Sequence, residues 1–289
     1  MVDAVVLNYN DAATTKDCIK NFEKCSNVRY ILVIDNASSD NSYSDLCKLK
    51  TERIIILRSP RNGGYGYGNN LGIRYLISQC DSEYILLANP DVLIDEVAVA
   101  KLEESLKKHP DYGIIAPFMC NATGERQWNT AFMIPSRTEY IMSLGVVYSK
   151  LFHPWRYDDI FDWEEGLHPV GAVSGSCFMM NAKLFYQYGM FDEAVFLYCE
   201  ETILGLKLSK AGIKIGLLPD CFFVHKHSVS INKTFMTEMK KKRLLVNSKT
   251  YVIEHYYDVR GIVLCFVKLL GLVSVIEAGV LSLRKRIIG

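Results

Sequence analysis

Short apolar runs alternate with longer stretches of mixed polarity along the first 90 residues of the chain. The runs have strand length and fall at 4–8, 30–34, 53–57 and 84–88, whereas the stretches at 12–25 and 69–80 have helical length. This alternation predicts a mainly parallel sheet whose crossover connections are helical. The chain is therefore expected to have an α/β fold.

The rest of the chain continues this pattern and then departs from it. We expect a helix at 94–109, a strand at 170–180, helices at 182–188 and 200–211, and strands at 214–218 and 222–224. The region 120–169 lacks clear periodicity, and such a long irregular insertion is usually functional, so it is a candidate lid or substrate channel. We divide the chain into an α/β domain at 1–230 and a helical extension at 231–289.

The cysteines and the N-terminus indicate where the protein works. Nine cysteines are scattered without a Cys-x-x-Cys pair, a pattern that indicates neither a zinc site nor a disulfide framework. The chain opens directly on strand-like sequence and lacks the basic region and apolar core of a signal peptide. Both observations predict a cytoplasmic protein.

The extension differs in charge from the rest of the chain. Residues 1–230 contain 22 Lys and Arg against 28 Asp and Glu, a net charge of −6, whereas residues 231–289 contain 11 against 4, a net charge of +7. Such asymmetry predicts an anionic partner for the basic end. Because the basic residues are interleaved with an apolar stretch at 261–283, we favour membrane lipid and expect no nucleic acid partner.

The apolar stretch at 261–283 is long enough to span a bilayer, but it contains Lys268 and Glu277 and is flanked by Arg260 and a basic run at 284–286. We favour helices that lie in the membrane interface, which predicts a peripheral location on the inner face of the plasma membrane. The alternatives are a true span and packing against the rest of the chain or a second subunit, which would make a homo-oligomer.

Polar or glycine-rich segments follow the predicted strands, beginning at Asn8, Asp35, Asn62 and Asn89. Because the carboxyl ends of parallel strands share one sheet edge, these segments should line the crevice in which open α/β sheets bind ligands. The glycine-rich segment 62–70 follows the third strand and not the first, which argues against a dinucleotide-binding Rossmann domain. Taken alone, each segment could also be an ordinary turn or helix cap.

Asp91 and His225 are candidate metal ligands. Asp91 follows Asn89 and Pro90 where a buried strand reaches solvent, and His225 and His227 follow the apolar run 222–224. One aspartate, one imidazole and diphosphate oxygens suit Mg²⁺ or Mn²⁺, whereas Zn²⁺ would need more protein ligands. The alternative is a turn aspartate and structural histidines.

Glu200 and Glu201 open a predicted helix after the aromatic-rich segment 191–199. A carboxylate at a helix N-terminus is stabilised by the helix dipole, so simple capping is one explanation. The other is a general base beside an acceptor hydroxyl, with the aromatic side chains forming a platform for a sugar. Adjacent carboxylates cannot point the same way along a helix.

Six motifs, taken in order, resemble those of the family 2 glycosyltransferases, particularly the bacterial rhamnosyltransferase-like branch. Each motif is weak alone, but together they cover about residues 3–230 in the right order and spacing. They are Val6-Leu7-Asn8-Tyr9-Asn10, Asp35-Asn36-Ala37-Ser38-Ser39-Asp40, Asn62-Gly63-Gly64-Tyr65-Gly66, Asn89-Pro90-Asp91, the segment from Phe191-Asp192-Glu193 to Tyr198-Cys199-Glu200-Glu201, and His225.

The resemblance implies a GT-A fold and inverting transfer of a sugar from a nucleoside diphosphate sugar to an acceptor hydroxyl. Asp35 would contact the base, and Asp91, in the last position of a DXD-like motif, would hold Mg²⁺ or Mn²⁺ on the diphosphate together with His225. The residues implied in donor binding are Leu7, Asn8, Tyr9, Asp35, Asn62, Gly63, Asn69, Asn89 and Asp91.

The resemblance also implies a donor and an acceptor. The expected donor is dTDP-rhamnose, with UDP-hexoses as the second choice. The expected acceptor is a glycan on a polyprenyl diphosphate, in the synthesis of capsule, O-antigen or a similar surface polysaccharide. Such an acceptor would be met at the cytoplasmic face of the membrane.

The match departs from the family pattern at the catalytic pair. Glu201 stands where the family has an aspartate, and Ile203 and Lys207 stand where an aspartate and an arginine are common. Glu201 is the predicted base, and Glu200 is the alternative. Two other functions are left open: an inactive sugar-nucleotide-binding scaffold subunit, and a nucleotidylyltransferase, although the segment 8–11 lacks the glycine-rich basic loop of such enzymes.

Overall fold

The computed structural model describes residues 1–145, 148, 155–226 and 238–288. The residues outside these ranges include part of the irregular region, His227 and residues 231–237 at the start of the extension. In the described residues the strands are β1 (Val2–Asn8), β2 (Val28–Asp35), β3 (Ile54–Arg58), β4 (Tyr84–Ala88), β5 (Val92–Leu93), β6 (Tyr112–Cys120), β7 (Ala131–Phe132), β8 (His168–Val170), β9 (Ala172–Val173), β10 (Cys177–Asn181) and β11 (Lys214–His225).

A mixed sheet forms the centre of the protein, in the strand order β3-β2-β1-β4-β10-β6-β11-β5, with β8 also paired to β11. Strands β1 to β4 are parallel, β6 and β11 are parallel to each other, and β10 runs antiparallel between β4 and β6. Strands β7 and β9 form a separate two-stranded sheet. The prediction of a mainly parallel α/β sheet is confirmed, and the ends of β1, β2 and β4 lie at one edge.

The α-helices within the described ranges are α1 (Ala12–Glu23), α2 (Ser42–Cys47), α3 (Tyr65–Cys80), α4 (Glu96–Lys108), α5 (Arg137–Met142), α6 (Ala182–Leu184), α7 (Glu200–Lys210), α8 (Glu238–His255) and α9 (Gly261–Ile288). A 3₁₀ helix at Trp128–Thr130 and a π-helix at Phe185–Gly189, directly after α6, are also present. Local sequence explains the bounds of α4. The Asp95 carboxylate accepts a hydrogen bond from the Ala98 N–H at 2.7 Å, and the last turn carries Lys107 and Lys108. Both ends of α4 thus complement the helix dipole.

Helices cover both faces of the sheet, so the strands are buried on both sides. In β1, Ala4 and Val6 pack in one hydrophobic cluster while Val5 packs in the other, and all three are fully buried. The two-residue period of a strand produces this division, and burial on both faces explains why the strands read as continuous apolar runs.

Four of the predicted elements have different bounds in the structure, and the helix α2 was not predicted. The run 170–180 is not one strand, because Ser174-Gly175-Ser176 separates β9 from β10. The runs 214–218 and 222–224 belong to one strand, β11, which shifts register against β6 between Leu218 and Phe222, where Pro219 cannot donate to the ladder. The polar stretch after β2 contains α2, and α3 begins at Tyr65 and not at Asn69.

The extension packs against the rest of the chain. Val246 and Val252 of α8 and Val267 of α9 are buried in one hydrophobic cluster with Tyr140 and Ile203. The Ser274 hydroxyl, also buried, donates a hydrogen bond to the Leu144 carbonyl at 2.7 Å. One face of α9 is therefore fixed to the α/β part of the chain.

The opposite face of α9 is apolar and exposed. Its exposed side chains recur at steps of four and three residues, which places them on one helical stripe. Among the described residues, 261–280 is the helical segment long and apolar enough to cross a membrane, with a mean hydropathy of 2.2 and 17% of it buried. The stripe consists of Ile262, Phe266, Leu269, Val273, Ile276 and Val280.

Candidate active site

The ends of β1 and β2 are joined by a buried hydrogen-bond network centred on Asp35. One Asp35 carboxylate oxygen accepts from the Asn8 amide at 2.8 Å, and the other accepts from the Ser38 N–H at 3.1 Å. The Arg58 guanidinium lies 3.6 Å from the second oxygen. The network fixes the polar turn after β2 beside the polar turn after β1. Contact of Asp35 with a nucleotide base stays a prediction.

The glycine-rich segment meets this network from the other side. The Asn36 amide donates to Asn62 Oδ1 at 3.0 Å and to the Gly64 carbonyl at 3.1 Å. Gly64 has φ of 92°, the left-handed region that favours glycine, and lies directly against the Phe196 backbone. A side chain at residue 64 would displace the segment that leads to Glu200 and Glu201.

Several predicted donor residues lie around this edge. Leu7 and Tyr9 flank Asn8 at the end of β1, and Gly63 lies between Asn62 and the start of α3. Asn69, in contrast, lies one turn inside α3 with 1% of its surface exposed, and its amide donates to the Tyr65 carbonyl at 3.1 Å. The donor-binding roles of these residues stay predictions.

Asp91 and His225 are 134 positions apart in sequence and adjacent in space. Strand β5, which begins directly after Asp91, pairs with the end of β11 so that His225 lies opposite Val92. His225 Nε2 lies 3.1 Å from Asp91 Oδ1, and each side chain is nearly buried. The structure therefore brings the two predicted metal ligands together.

The donor set of this pair fits a hard divalent cation. Mg²⁺ is commonly held by one or two protein carboxylates together with substrate phosphates and water, and Mn²⁺ accepts an additional imidazole. In the described part of the chain no group of three or more His, Cys, Asp or Glu side chains is arranged to hold a metal ion. A cation at Asp91 and His225 would thus need ligands from the substrate, as expected for a diphosphate.

The loop Ser174-Gly175-Ser176 connects the Asp91 turn to Glu201. The Ser176 carbonyl accepts from the Asn89 N–H at 2.8 Å, and the Gly175 N–H donates to Glu201 Oε1 at 3.2 Å. A Cβ on Gly175 would come within 2.9 Å of that same carboxylate oxygen. The loop thus holds the Glu201 carboxylate near the turn that carries Asp91.

Glu200 and Glu201 have unusual acid–base properties. Burial, followed by the charge of Glu201, raises the pKa of Glu200 to about 8. Burial also raises the pKa of Glu201, against the opposing effect of its hydrogen bonds to backbone N–H groups. Glu200 is 5% exposed, and its Oε1 has no hydrogen-bond partner among the described residues. Raised carboxyl pKa values of this kind are typical of acid–base sites.

The backbone before the pair is strained. Tyr198 and Cys199 have φ of 73° and 72°, and two successive left-handed residues other than glycine are rare. Such strain persists only where surrounding contacts hold the backbone in place, and it is common at functional sites. Helix α3 supplies some of these contacts, through Tyr65 and Asn70, and the extension supplies others.

Helix α8 and the residue that follows it hold the segment 191–199 through three side-chain hydrogen bonds. The Tyr251 and Tyr256 hydroxyls both donate to Asp192 Oδ2, at 2.9 and 2.7 Å, and the Ser248 hydroxyl donates to the Leu197 carbonyl at 2.7 Å. Burial alone would raise the pKa of Asp192, but hydrogen bonds from the Ala194 N–H and the two tyrosines hold that pKa below its usual value. The Asp192 anion therefore links the extension to the active-site segment.

The double variant Tyr251→Phe/Tyr256→Phe is expected to lower the free energy of unfolding by about 2–4 kcal/mol at neutral pH, because two hydrogen bonds to a partly buried charge are lost. Because folding lowers the pKa of Asp192, its ionised carboxylate stabilises the folded protein at pH values above the unfolded pKa. The stability difference between the wild type and the double variant should therefore shrink below about pH 4. Thermal denaturation at several pH values measures this difference. Tyr186→Phe, at an exposed position, is the matched control, and an equal loss in that control would contradict the assignment.

Two residues of the site were not predicted from the sequence. Gly175 carries the N–H that binds Glu201, and the Tyr65 hydroxyl donates to the Gly175 carbonyl at 2.5 Å. The sequence does mark the position of Gly175, because Ser174-Gly175-Ser176 is a turn-forming triplet inside an otherwise apolar run. Tyr65 lies in the glycine-rich segment, where nothing in the sequence distinguishes it from Tyr67.

Comparison with known protein families shows the family of this chain. The family model described as glycosyl transferase family 2 matches residues 3–189, about two thirds of the chain and the whole of the sheet edge that carries Asp35 and Asp91. The chain belongs to glycosyl transferase family 2. The predicted family is confirmed, and it replaces the nucleotidylyltransferase alternative.

Relatives of this glycosyltransferase place it in the rhamnosyltransferase-like branch, as predicted. It is 28% identical over 226 residues to the low-salt glycan biosynthesis hexosyltransferase Agl10 of Haloferax volcanii, covering 78% of this chain and 67% of the relative. It is 27% identical over 216 residues to an N-acetylglucosaminyl-diphospho-decaprenol L-rhamnosyltransferase of Mycobacterium tuberculosis, covering 70% and 68%. It is 24% identical over 249 residues to the rhamnosyltransferase WbbL of Escherichia coli K12, covering 82% and 88%.

Solved structures of similar fold confirm the GT-A prediction. The structure of GalNAc-T7 with UDP, GalNAc and Mn²⁺ has a TM-score of 0.61 at 13% identity, covering 85% of this chain and 47% of that chain. The mannosyltransferase PcManGT from Pyrobaculum calidifontis, in complex with GDP-Man and Mn²⁺, has a TM-score of 0.57 at 15% identity, covering 96% and 73%. At these identities the likeness establishes the fold alone.

Proposed function

We propose that this glycosyltransferase transfers a sugar, with inversion, from a nucleoside diphosphate sugar to a hydroxyl of a glycan carried on a polyprenyl diphosphate. The observation that carries the proposal is the loop 174–176, which contacts the Asp91 turn through Asn89 and the Glu201 carboxylate through Gly175. A diphosphate-binding group and a base thereby lie on either side of one short loop. The anomeric carbon of the donor would lie over that loop.

Glu201 is the proposed base. Its carboxylate would accept the proton of the acceptor hydroxyl while the hydroxyl oxygen attacks the anomeric carbon from the face opposite the diphosphate. The carbon–oxygen bond to the diphosphate breaks, and the nucleoside diphosphate leaves with that electron pair. The Gly175 N–H orients the carboxylate. Glu200 is the alternative base, and in this scheme it holds the acceptor.

The proposed cation is Mg²⁺ or Mn²⁺ at Asp91 and His225. When bound, it supplies positive charge next to the diphosphate oxygens, on which negative charge grows as the leaving group departs. Two of the solved structures with similar folds contain Mn²⁺ with a nucleotide or nucleotide sugar. Those complexes support a divalent cation here and leave the choice of ion to measurement.

The proposed acceptor and location rest on the extension and on the relatives. The exposed apolar stripe of α9 and the net charge of +7 in residues 231–289 suit a helix lying on an anionic membrane surface. The Mycobacterium relative is named for a lipid diphosphate acceptor. We therefore place residues 1–230 as the transferase domain and 231–289 as a membrane-docking extension, working at the cytoplasmic face in surface polysaccharide synthesis.

A thermal-shift panel of nucleotide sugars with and without Mn²⁺ or Mg²⁺ tests the donor site. At about 100 times its dissociation constant, the true donor should stabilise the protein by about 2.7 kcal/mol, and only when the cation is present. dTDP-rhamnose and the UDP-hexoses are the first compounds to compare. Stabilisation followed by no transfer to any lipid-linked glycan would instead favour the sugar-nucleotide-binding scaffold, and no stabilisation by any donor would contradict the proposal.

A further inference from the structure

An open cleft lies where the extension crosses α5, outside the sheet edge that carries the active site. It has a volume of about 410 Å³ and is lined on one wall by Arg137, Ile141 and Met142 of α5. The other wall is formed by Arg260 and Val263, at the junction of α8 and α9. Each wall therefore presents one guanidinium group beside apolar side chains.

We propose that this cleft binds the diphosphate and the first isoprenoid units of the lipid-linked acceptor. The inference rests on the proposed function and adds the place at which the acceptor lipid is held. Guanidinium groups bind phosphate oxygens through two parallel hydrogen bonds, so one arginine on each wall suits a diphosphate better than a neutral headgroup. Ile141, Met142 and Val263 offer the apolar contact that an isoprenoid chain requires.

The charge of the cleft is compatible with this ligand. Asp258 also lies in the cleft and pairs with Arg260 at 2.8 Å, but both side chains are about four-fifths exposed. An ion pair so exposed is weak, and the guanidinium retains other N–H donors. With two arginines and one aspartate, the cleft keeps a net positive charge.

The cleft lies between the exposed stripe of α9 and the segment that carries Glu200 and Glu201. Its α9 wall continues into the exposed stripe that begins at Ile262 and Phe266, so a lipid chain leaving the cleft would follow that stripe into the bilayer. On the inner side, Tyr140 of α5 is buried beside Cys199 and Thr202, which flank Glu200 and Glu201. Tyr140, which precedes the cleft residue Ile141, thus contacts the residues on both sides of Glu200 and Glu201.

Binding of farnesyl diphosphate to the full-length protein, measured by isothermal titration calorimetry, tests the site without requiring catalysis. The double variant Arg137→Gln/Arg260→Gln should weaken binding by roughly 10- to 100-fold, because hydrogen bonds to a charged ligand are lost. The variant Arg243→Gln/Lys210→Gln removes the same charge at exposed positions away from the cleft and should bind like the wild type. Equal binding by the wild type and the cleft variant would overturn the proposal.

Two further experiments distinguish binding of the whole lipid diphosphate from binding of its parts or of a membrane surface. Farnesol and inorganic pyrophosphate, each tested alone, should bind the wild type much more weakly than farnesyl diphosphate. Sedimentation with phosphatidylglycerol vesicles should be the same for the cleft and control variants, since the α9 stripe is intact in both. If only the cleft variant loses vesicle binding, the cleft is a general contact for anionic lipid and the proposal fails.

Kinetics distinguish a failure of this inference from a failure of the proposed function. If the wild type transfers sugar to a lipid-linked glycan, the cleft variant should raise KM for that acceptor and leave KM for the donor unchanged. An unchanged acceptor KM would reject the cleft while the proposed function stands. Binding of farnesyl diphosphate that depends on the two arginines, in a protein that transfers no sugar, would uphold the cleft and reject the proposed function.

Discussion

Replacing Glu201 with glutamine is expected to lower kcat for sugar transfer by about 10³-fold, in the range that loss of a general base produces. Glutamine keeps the oxygen that accepts the Gly175 N–H, so the loop 174–176 and donor binding should be preserved. The measurement is steady-state transfer together with the donor-induced thermal shift. Glu201→Asp, which restores the residue common in the family, should retain measurable transfer.

The pH dependence of transfer tests the same assignment. A base must be ionised to accept a proton, and burial raises the pKa of Glu201 above the 4.5 of an ordinary glutamate, so kcat/KM should rise with pH through an acidic limb above that value. Because burial raises the pKa of Glu200 to about 8, Glu200 is largely protonated across this limb, and Glu200→Gln should leave the position of the limb nearly unchanged. Nearly full activity in Glu201→Gln, with loss in Glu200→Gln, would make Glu200 the base.

The fold was largely predictable because its strands are buried on both faces. Runs such as 84–88 are apolar at every position, and the polar residues that follow them mark the sheet edge at which open α/β sheets generally bind ligands. The antiparallel insertion of β10 between β4 and β6 could not be predicted, because a buried strand has the same composition in either direction. The sequence predicted two strands where the structure has the single strand β11, because Pro219 lies between them and proline is normally excluded from a continuous ladder.

The sequence proposed the residues of the candidate site but not the contacts between them. Asp91, His225 and Glu201 were chosen by residue type and by resemblance, and their roles stay predictions. The pairing of β5 with β11 explains why the first two meet. The triplet Ser174-Gly175-Ser176 indicated a turn, but the partner of the Gly175 N–H was not predictable because a backbone donor has no side chain that identifies its acceptor. The bonds from Tyr251 and Tyr256 to Asp192 depend on how the extension packs, which hydrophobic pattern alone does not determine.

Asp91→Asn is expected to reduce transfer by about 10³-fold, because a carboxylate that helps to hold the cation is replaced by a weaker neutral ligand and several kcal/mol of transition-state stabilisation is lost. The same variant should lose the cation-dependent part of the donor-induced thermal shift. Glu104→Gln, an exposed carboxylate on α4, is the control for loss of one negative charge and should behave like the wild type.

The unliganded stability of Asp91→Asn separates a metal role from a structural one. Asparagine is nearly isosteric with aspartate and can still accept a hydrogen bond from the His225 ring, and the Asp91 carbonyl that accepts the Lys226 N–H at 3.0 Å is unaffected. The melting temperature without ligand should therefore change little, while donor binding in the presence of Mn²⁺ weakens. If Asp91→Asn instead unfolds readily and keeps its cation-dependent donor shift, then Asp91 serves only to join β5 to β11, and the cation must be held elsewhere.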